Sequence, residues 1–293
     1  MFYRADVFRE AGLPTEPEEV ARFLGTWQGV LDAAQRVHIP GSRWLIGDAV
    51  YLYEALFLNR DYYDTELNLV IDRPGDVEAL NAVITMRRNG LDMNTRITAP
   101  EHNAALASGS VAMVIRGCWF GGTLKSGIDP NGAGNWRITT LPANIPSSNN
   151  GGSFTSIPSQ GRNKDAAWAF IQYMMTTVEG QNTMFRAVDF FPAFSPAWTD
   201  AMYQEPDPYF GGQRTRALWS RIASEVRPAF PTVPTIMDST VGPIIYNSVN
   251  SSLGRGLDPA GIKAALRADI EAGTGELMRQ QIQTLRDMGA WNR

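Results

Sequence analysis

Hydrophobic residues recur along this chain with two different spacings. In KDAAWAFIQYMMTTVEG they follow the i, i+3, i+4, i+7 pattern, which predicts an amphipathic helix with its apolar stripe in the core. Short apolar runs bounded by turn residues predict strands at RWLIGD, VAMVI, NWRITTLP and GGSFTSIP. Because helices outnumber the strands with which they alternate, the pattern indicates an α/β protein. The predicted core stripe consists of Ala167, Phe170, Ile171, Met174, Met175 and Val178.

Capping residues mark where several helices begin and end. Thr26 is a predicted N-cap, and the Thr-x-x-Glu spacing over residues 98–101 predicts a capping box. Gly109 is a predicted helix end. Asp258, followed by proline, predicts another N-cap, with one helix over AGIKAALRADIEAG and a final one over GELMRQQIQTLRDMG. Residues 126–135, 143–152 and 204–213 are rich in loop residues and are candidate linkers.

Composition narrows the class of protein. At 293 residues the chain could form one large domain or two smaller ones. Hydrophobic residues make up 44% and charged residues 19%, which argues against disorder. A net charge of -4 provides no basic surface for nucleic acid. No apolar run is long enough to span a bilayer, and MFYRADVFREAGLP lacks the apolar region of a signal peptide.

Residues suited to catalysis or metal binding are few. Cys118 is the single cysteine, which excludes an internal disulfide and a Cys-based zinc site, and it is expected to be a small buried side chain. His38 and His102 are the only histidines and are expected to be solvated surface residues. No phosphate loop, dinucleotide fingerprint or nucleophile elbow occurs. We therefore predict no cofactor, no metal and no catalytic residue, although two carboxylates could still meet in the fold.

Aromatic residues stand at the ends of predicted elements. Trp119 follows the strand VAMVI on a glycine-rich turn, and Tyr51 and Tyr53 open a helix just after another strand. The segment DFFPAF, residues 189–194, follows the clearest helix. Flat rings beside hydrogen-bonding groups suit a sugar, although Trp119 could equally fill an edge of the core, and at most one of the two tyrosines should face a cleft. Three other tryptophans are expected to pack in the core or on strands: Trp44, Trp136 and Trp168.

At these residues the sequence resembles the bacterial extracellular solute-binding proteins of carbohydrate ABC transporters, solute-binding protein family 1, which includes maltose-binding protein. MFYRADVFREAGLP with a later Thr-Trp resembles the family's aromatic strand and short helix. ALASGSVAMVIRGCWFGGTL resembles its helix, glycine, Ala-Met strand and Gly-x-Trp motif. NWRITTLP and GGSFTSIPSQGRNKDAAWAFIQYM resemble its next strand, its crossing strand and the helix after it. The four landmarks occur in the family's order over nearly the whole chain.

The resemblance implies a periplasmic-binding-protein-like fold of type II, with two α/β lobes and a ligand cleft between them. Residues 1–150 would form the second lobe, residues 151–200 would cross back to the first lobe, and residues 201–293 would return to the second as helices. In the family an export signal and most of the first lobe precede this stretch. The chain is therefore expected to be a fragment that lacks most of the first lobe, with Met1 an internal methionine.

The family motifs also nominate ligand-binding residues. The tryptophan of the Gly-x-Trp motif stacks on sugar in many members, and the turn in IGDAVYLY often faces the cleft. Looser correspondences place one pair of residues at the crossing and one phenylalanine in the part of the first lobe that contacts ligand. The implied ligand-binding residues are Trp119, Gly117, Asp48, Tyr51, Gly152, Ser153 and Phe191.

The implied function is to bind a sugar or oligosaccharide and deliver it to the transmembrane permease subunits of an ABC transporter, without catalysis. The resemblance also implies a monomer that is extracellular or periplasmic, with a lipid anchor in the full-length protein. Two alternatives stay open. One is an α/β enzyme acting on carbohydrate, such as a glycoside hydrolase with two carboxylates, and the other is a binding protein for a peptide or a polyamine.

Overall fold

One mixed four-stranded sheet organises the protein. The computed structural model describes residues 1–58, 61–147, 152–225 and 235–290. The strands are β1 (Phe2–Arg4), β2 (Trp44–Ile46), β3 (Val111–Val114) and β4 (Trp136–Ile138). Their order is β2-β3-β1-β4, with β2 parallel to β3 and β1 antiparallel to both of its neighbours. The α/β class is confirmed.

Helices cover both faces of this sheet and extend beyond it. The first group is α1 (Ala5–Glu10), α2 (Pro17–Phe23), α3 (Trp27–Val37), α4 (Val50–Glu54), α5 (Asp76–Arg88) and α6 (Pro100–Ser108). The second is α7 (Phe120–Thr123), α8 (Lys164–Thr176), α9 (Val178–Val188), α10 (Thr215–Glu225), α11 (Asp238–Gly254) and α12 (Pro259–Asp287). Shorter 3-10 helices are Ala55–Phe57, Pro142–Asn144, Ser195–Thr199, Ala201–Gln204 and Pro208–Phe210, and Leu124–Ile128 is a π-helical turn.

Two large hydrophobic clusters lie on opposite sides of the sheet. Because successive strand residues point to opposite faces, Tyr3 joins the cluster built with α3, α4, α5, α11 and α12, whereas Phe2 joins the other. That second cluster contains Phe120 at the start of α7, together with Trp136 and Phe210. The helix that carries Trp119 at its N-cap is thus fixed to the sheet by Phe120.

Local capping signals identified several element ends correctly. The Thr26 side chain accepts a hydrogen bond from the Gly29 N–H, and Asp258 does the same for Gly261. Gly109 ends α6 with a positive φ of 78°, a conformation that glycine adopts without strain. The capping box over residues 98–101 is wrong, because α6 begins one residue after Ala99, whose side chain cannot cap.

One predicted break is absent from the last helix. The sequence suggested two helices after Asp258, but α12 runs unbroken for 29 residues. Gly273 lies within it, where a Cβ atom would come 2.5 Å from Ile244 Cδ1 of α11. A glycine inside a helix costs about 1 kcal/mol relative to alanine, and at this position it permits α12 to pack closely on α11.

The segment 152–188 departs most from its predicted structure. No strand occurs in residues 152–158, where Phe154 is 98% exposed, because no described segment lies alongside to complete a β-ladder. The core assignment of the stripe on α8 is also wrong: no α8 residue is buried, and Trp168 and Phe170 are 54% and 63% exposed. The stripe is only partly covered, where α9 packs against α8 and leaves Ala167, Ile171, Met174 and Met175 half-buried. The division of the chain at residues 150 and 200 stays a prediction.

Candidate ligand-binding site

Trp119 lies at the surface, immediately before α7 and five residues after the end of β3. Its side chain is 46% exposed. A Cβ atom on Gly117 would come 2.7 Å from the indole Nε1 of Trp119, so a glycine is required for the indole to fold back over the turn. Gly117 therefore shapes the turn by positioning Trp119. The alternative in which Trp119 fills an edge of the core does not fit its exposure.

Arg116 packs beside this indole. Its guanidinium carbon lies 5.9 Å from the centroid of the Trp119 ring and 5.7 Å from that of Phe120. The two rings are nearly perpendicular, at 84°. Arg116 Nη2 donates a hydrogen bond of 3.2 Å to the Ile97 carbonyl. The hydrogen bond to Ile97 holds the Arg116 guanidinium in place, where it makes a cation–π contact with the Trp119 indole.

Tyr51 reaches the same loop from α4. The Ile97 N–H donates a hydrogen bond of 3.2 Å to the Tyr51 hydroxyl, and the Ile97 carbonyl accepts the bond from Arg116. The ring of Tyr51 lies 5.3 Å from that of Tyr246 on α11, which carries the Arg96 guanidinium 4.3 Å above it. The structure therefore brings Tyr51 and the Arg116–Trp119 turn to one loop. Tyr53 is fully buried, so at most Tyr51 of the two tyrosines can face a cleft.

Asp48 lies beneath the site and is completely buried. Its Oδ1 accepts hydrogen bonds from Arg87 Nη2 at 2.7 Å and from the Val50 N–H at 2.9 Å, and its Oδ2 accepts one from the Tyr246 hydroxyl at 2.5 Å. Burial raises the pKa of Asp48, and these donors oppose that effect. A carboxylate with no exposed atoms cannot contact ligand. The expectation that Asp48 faces the cleft does not fit this position, and its role is to anchor α4 to α5 and α11.

Phe191 follows α9 on a segment that lies against α7. A Cβ atom on Gly122 would be 2.5 Å from the Val188 carbonyl oxygen, so the paired glycines after Phe120 let these two segments approach closely. Lys125 Nζ joins them through ion pairs of 2.7 Å to both Asp189 and Asp207. Phe191 itself is half-buried between Phe185 and Trp198 rather than open to solvent.

Gly152 and Ser153 are exposed and are not brought to this site. A Cβ atom on Gly152 would meet nothing within 4 Å. Neither residue makes a hydrogen bond to Trp119, Arg116 or Tyr51 in the described part of the chain. Their assignment to the ligand site stays a prediction.

Two charged residues of this region were not singled out by the sequence. Arg116 is one, and Glu54 at the end of α4 is the other. Burial and the negative charge of Asp48 together raise the pKa of Glu54 to about 7, against the opposing positive charge of Arg96. In sequence both look like ordinary surface charges, and only their position beside aromatic rings in the fold distinguishes them.

The histidine and cysteine side chains offer no activated group. The sequence prediction that His102 is solvated is wrong: it is buried, and its imidazole packs so closely on Gly47 that a Cβ atom there would come 2.2 Å from His102 Cδ2. Burial, together with the nearby charge of Arg116, lowers the pKa of His102 to about 4, so it is neutral at pH 7. Burial raises the pKa of the Cys118 thiol to about 11. The described residues contain no group of three or more His, Cys, Asp or Glu side chains that could hold a metal ion.

None of the helices in the described part of the chain combines the length and the apolar character that crossing a bilayer requires.

A family comparison covers most of the chain. Residues 1–208 match the model of a family described as bacterial extracellular solute-binding protein. The chain belongs to this family. The resemblance seen in the sequence is thereby confirmed.

Two curated bacterial proteins match most of the chain at 24–27% identity. A lactose-binding protein of Rhizobium radiobacter is 27% identical over 250 residues, which are 76% of this chain and 53% of that protein. An arabinooligosaccharide-binding protein of Bacillus subtilis (strain 168) is 24% identical over 225 residues, 71% of this chain and 49% of that protein. The chain spans about half the length of the curated relatives it matches.

Solved structures agree with the fold. A protein described as extracellular solute-binding protein family 1 superposes with a TM-score of 0.73 at 20% identity, covering 93% of this chain and 70% of that one. The ABC transporter associated binding protein from B. animalis subsp. lactis Bl-04, in complex with beta-1,6-galactobiose, gives a TM-score of 0.72 at 20% identity, covering 94% and 71%. The solute-binding-protein fold is confirmed, whereas the loss of most of the first lobe stays a prediction.

Proposed function

We propose that this protein binds a sugar or short oligosaccharide at the Trp119 surface and delivers it to the permease subunits of an ABC transporter. The observation that carries the proposal is the 46% exposed indole, held between Gly117 and Arg116 on the turn after β3. An exposed aromatic face offers the apolar faces of a sugar ring a stacking surface. Tyr51 and Arg116 supply hydrogen-bonding groups beside it.

The named relatives support the carbohydrate part of this proposal. Two of them are a lactose-binding and an arabinooligosaccharide-binding protein, and a structural neighbour holds a galactobiose. The relatives are binding proteins rather than enzymes, which supports a role without catalysis. A glycoside hydrolase would need two facing carboxylates, and Asp48 is engaged in buried hydrogen bonds. We further propose an extracellular or periplasmic location, a lipid anchor in the full-length protein, and action as a monomer.

Titration with sugars tests the proposal. We would measure calorimetric heats and tryptophan fluorescence with lactose, galactobiose and arabinooligosaccharides, and analyse the same mixtures for hydrolysis products. Saturable binding without product is the expected result. Release of product over time would show that the protein is a carbohydrate-active enzyme. Binding of a peptide or polyamine in place of sugar would reject the carbohydrate assignment.

A matched pair of variants locates the site. Trp119→Ala should weaken sugar binding by at least about tenfold, since stacked aromatic contacts contribute about 1 kcal/mol beyond their buried area and the truncation removes that area as well. Trp168→Ala removes an indole that is 54% exposed on α8 and should leave affinity unchanged. Equal effects of the two substitutions would contradict the assignment of Trp119.

A further inference from the structure

Arg116 has no carboxylate partner. Two other arginines withdrawn from solvent are paired with acids: Arg4 with Asp6 at 2.6 Å, and Arg87 with Asp48 at 2.7 Å. Among the described residues Arg116 makes no ion pair, and the rest of the sequence, residues 59–60, 148–151, 226–234 and 291–293, contains no aspartate or glutamate. A half-buried guanidinium without a counter-ion leaves a positive charge uncompensated beside Trp119.

The hydrogen-bonding capacity of Arg116 is also incompletely used. Nη2 donates to the Ile97 carbonyl, whereas Nε is buried and has no partner among the described residues. Nη1 makes no hydrogen bond within the described residues. Unlike Nε, it is not fully withdrawn from solvent. It is therefore a donor that a ligand can reach. Because guanidinium stays charged in proteins, this donor is suited to a negatively charged acceptor.

The two acidic residues of this region, Asp48 and Glu54, do not neutralise the positive charge of Arg116. Asp48 is already paired with Arg87, and the pKa of Glu54 of about 7 means that this carboxyl group is only partly ionised near neutral pH. One open guanidinium nitrogen matches a single carboxylate. A doubly charged phosphate would require further donors.

We propose that the sugar bound at this surface is acidic: a uronic acid, or a short oligosaccharide containing one, whose ring stacks on Trp119 while its carboxylate accepts a hydrogen bond from Arg116 Nη1. The inference rests on the proposed function and names its ligand class. The carboxylate supplies the counter-ion that the chain itself does not provide.

Matched ligand pairs test the inference on the full chain. Affinities for galacturonate and galactose, and for digalacturonate and galactobiose, would be measured by calorimetry at pH 7 and two salt concentrations. We expect each acidic member to bind about 10- to 100-fold more tightly, as a charge-assisted hydrogen bond implies, and this preference to decline at high salt.

Three variants assign the preference to one residue. Arg116→Gln should reduce the ratio of acidic to neutral affinity to near one, and Arg116→Lys should keep part of it, since it retains the charge. Arg43→Gln, which removes a surface pair with Glu10, should leave the ratio unchanged. Thermal melting of all three identifies any that fail to fold, and the wild-type ligand pairs remain decisive in that case.

The outcomes separate this inference from the proposed function. Binding of neutral sugars as tightly as their acidic counterparts overturns the acidic class and leaves sugar binding in place. A preference that survives in Arg116→Gln also overturns it, since the charge would then be recognised elsewhere. Binding of neither member of any pair, nor of the neutral oligosaccharides above, removes the proposed function and this inference with it.

Discussion

Replacing Arg87 by methionine tests the buried ionic network below the candidate site. Arg87 on α5 donates to Asp48 at 2.7 Å and lies 2.9 Å from Asp92 Oδ2. The side chains of these two carboxylates are 0% and 1% exposed. Methionine preserves much of the volume of the arginine stem but removes the only cation shared by both acids in this network.

The expected loss of unfolding free energy is large. Removing one partner of a buried ion pair typically costs about 3–5 kcal/mol, because the remaining charge stays buried without compensation. Here two carboxylates would remain, and the Tyr246 hydroxyl would still donate to Asp48. We therefore expect R87M to lose about 3–5 kcal/mol at pH 7.

A surface arginine provides the matched control. Arg43 Nη1 lies 2.8 Å from Glu10, but the Glu10 side chain is 61% exposed, so R43M should cost less than about 1 kcal/mol. Urea denaturation of both variants, followed by circular dichroism, measures the difference. If R87M is no less stable than R43M, the buried network does not have the energetic role that its geometry indicates.

The pH dependence gives a second readout of the same variant. Burial raises the folded-state pKa of Asp48 above its unfolded value of about 3.9, and loss of Arg87 would raise it further. A raised carboxyl pKa destabilises the folded state most above that pKa, and the penalty disappears below the unfolded value. The deficit of R87M should therefore narrow as the pH is lowered from 7 towards 4. A constant deficit would indicate lost packing rather than uncompensated charge.

Three further predictions follow from separate features. Gly122→Ala places a Cβ atom 2.5 Å from the Val188 carbonyl oxygen and should destabilise by about 1–3 kcal/mol in urea denaturation, whereas Gly127→Ala, which meets nothing within 4 Å, should be neutral or slightly stabilising. The reverse order of stability would contradict the close approach of α7 and the end of α9. Burial raises the pKa of Glu54 to about 7, so stability should fall as pH rises from about 4.5 to 7, and Glu54→Gln should flatten that slope in melting curves recorded across this range. An unchanged slope would mean that Glu54 titrates normally. Phe170, 63% exposed on α8, should tolerate serine with a change of less than about 0.5 kcal/mol in urea denaturation, and a loss above about 2 kcal/mol would show that its ring is packed after all.

Local features of the sequence were sufficient for the elements around the candidate site. β3 was predicted from its apolar run, the end of α6 from Gly109, and the start of α3 from Thr26. Each depends on hydrogen bonds or dihedral angles within a few residues, which the sequence displays directly. The position of Trp119 on a glycine turn after β3 was predicted in the same way.

The roles of two charged residues could not be predicted locally. Asp48 is buried because Arg87 and Tyr246 reach it from 39 and 198 residues away. Arg116 has no carboxylate within ion-pair distance among the described residues. The sequence does not show this, because it depends on which residues the fold brings next to Arg116. Burial and charge balance are sums over long-range contacts, so no short window of sequence contains them.

The sequence by itself determined the α/β class, most element positions and the family, because periodicity, capping residues and ordered motifs are properties of neighbouring positions. The tertiary structure alone decided which faces are covered. The stripe on α8 has helical spacing yet contains no buried residue, while Asp48 was expected to face the cleft yet is fully buried. Spacing fixes which side chains share a face, but burial depends on what packs against that face, and only the complete fold specifies the partner.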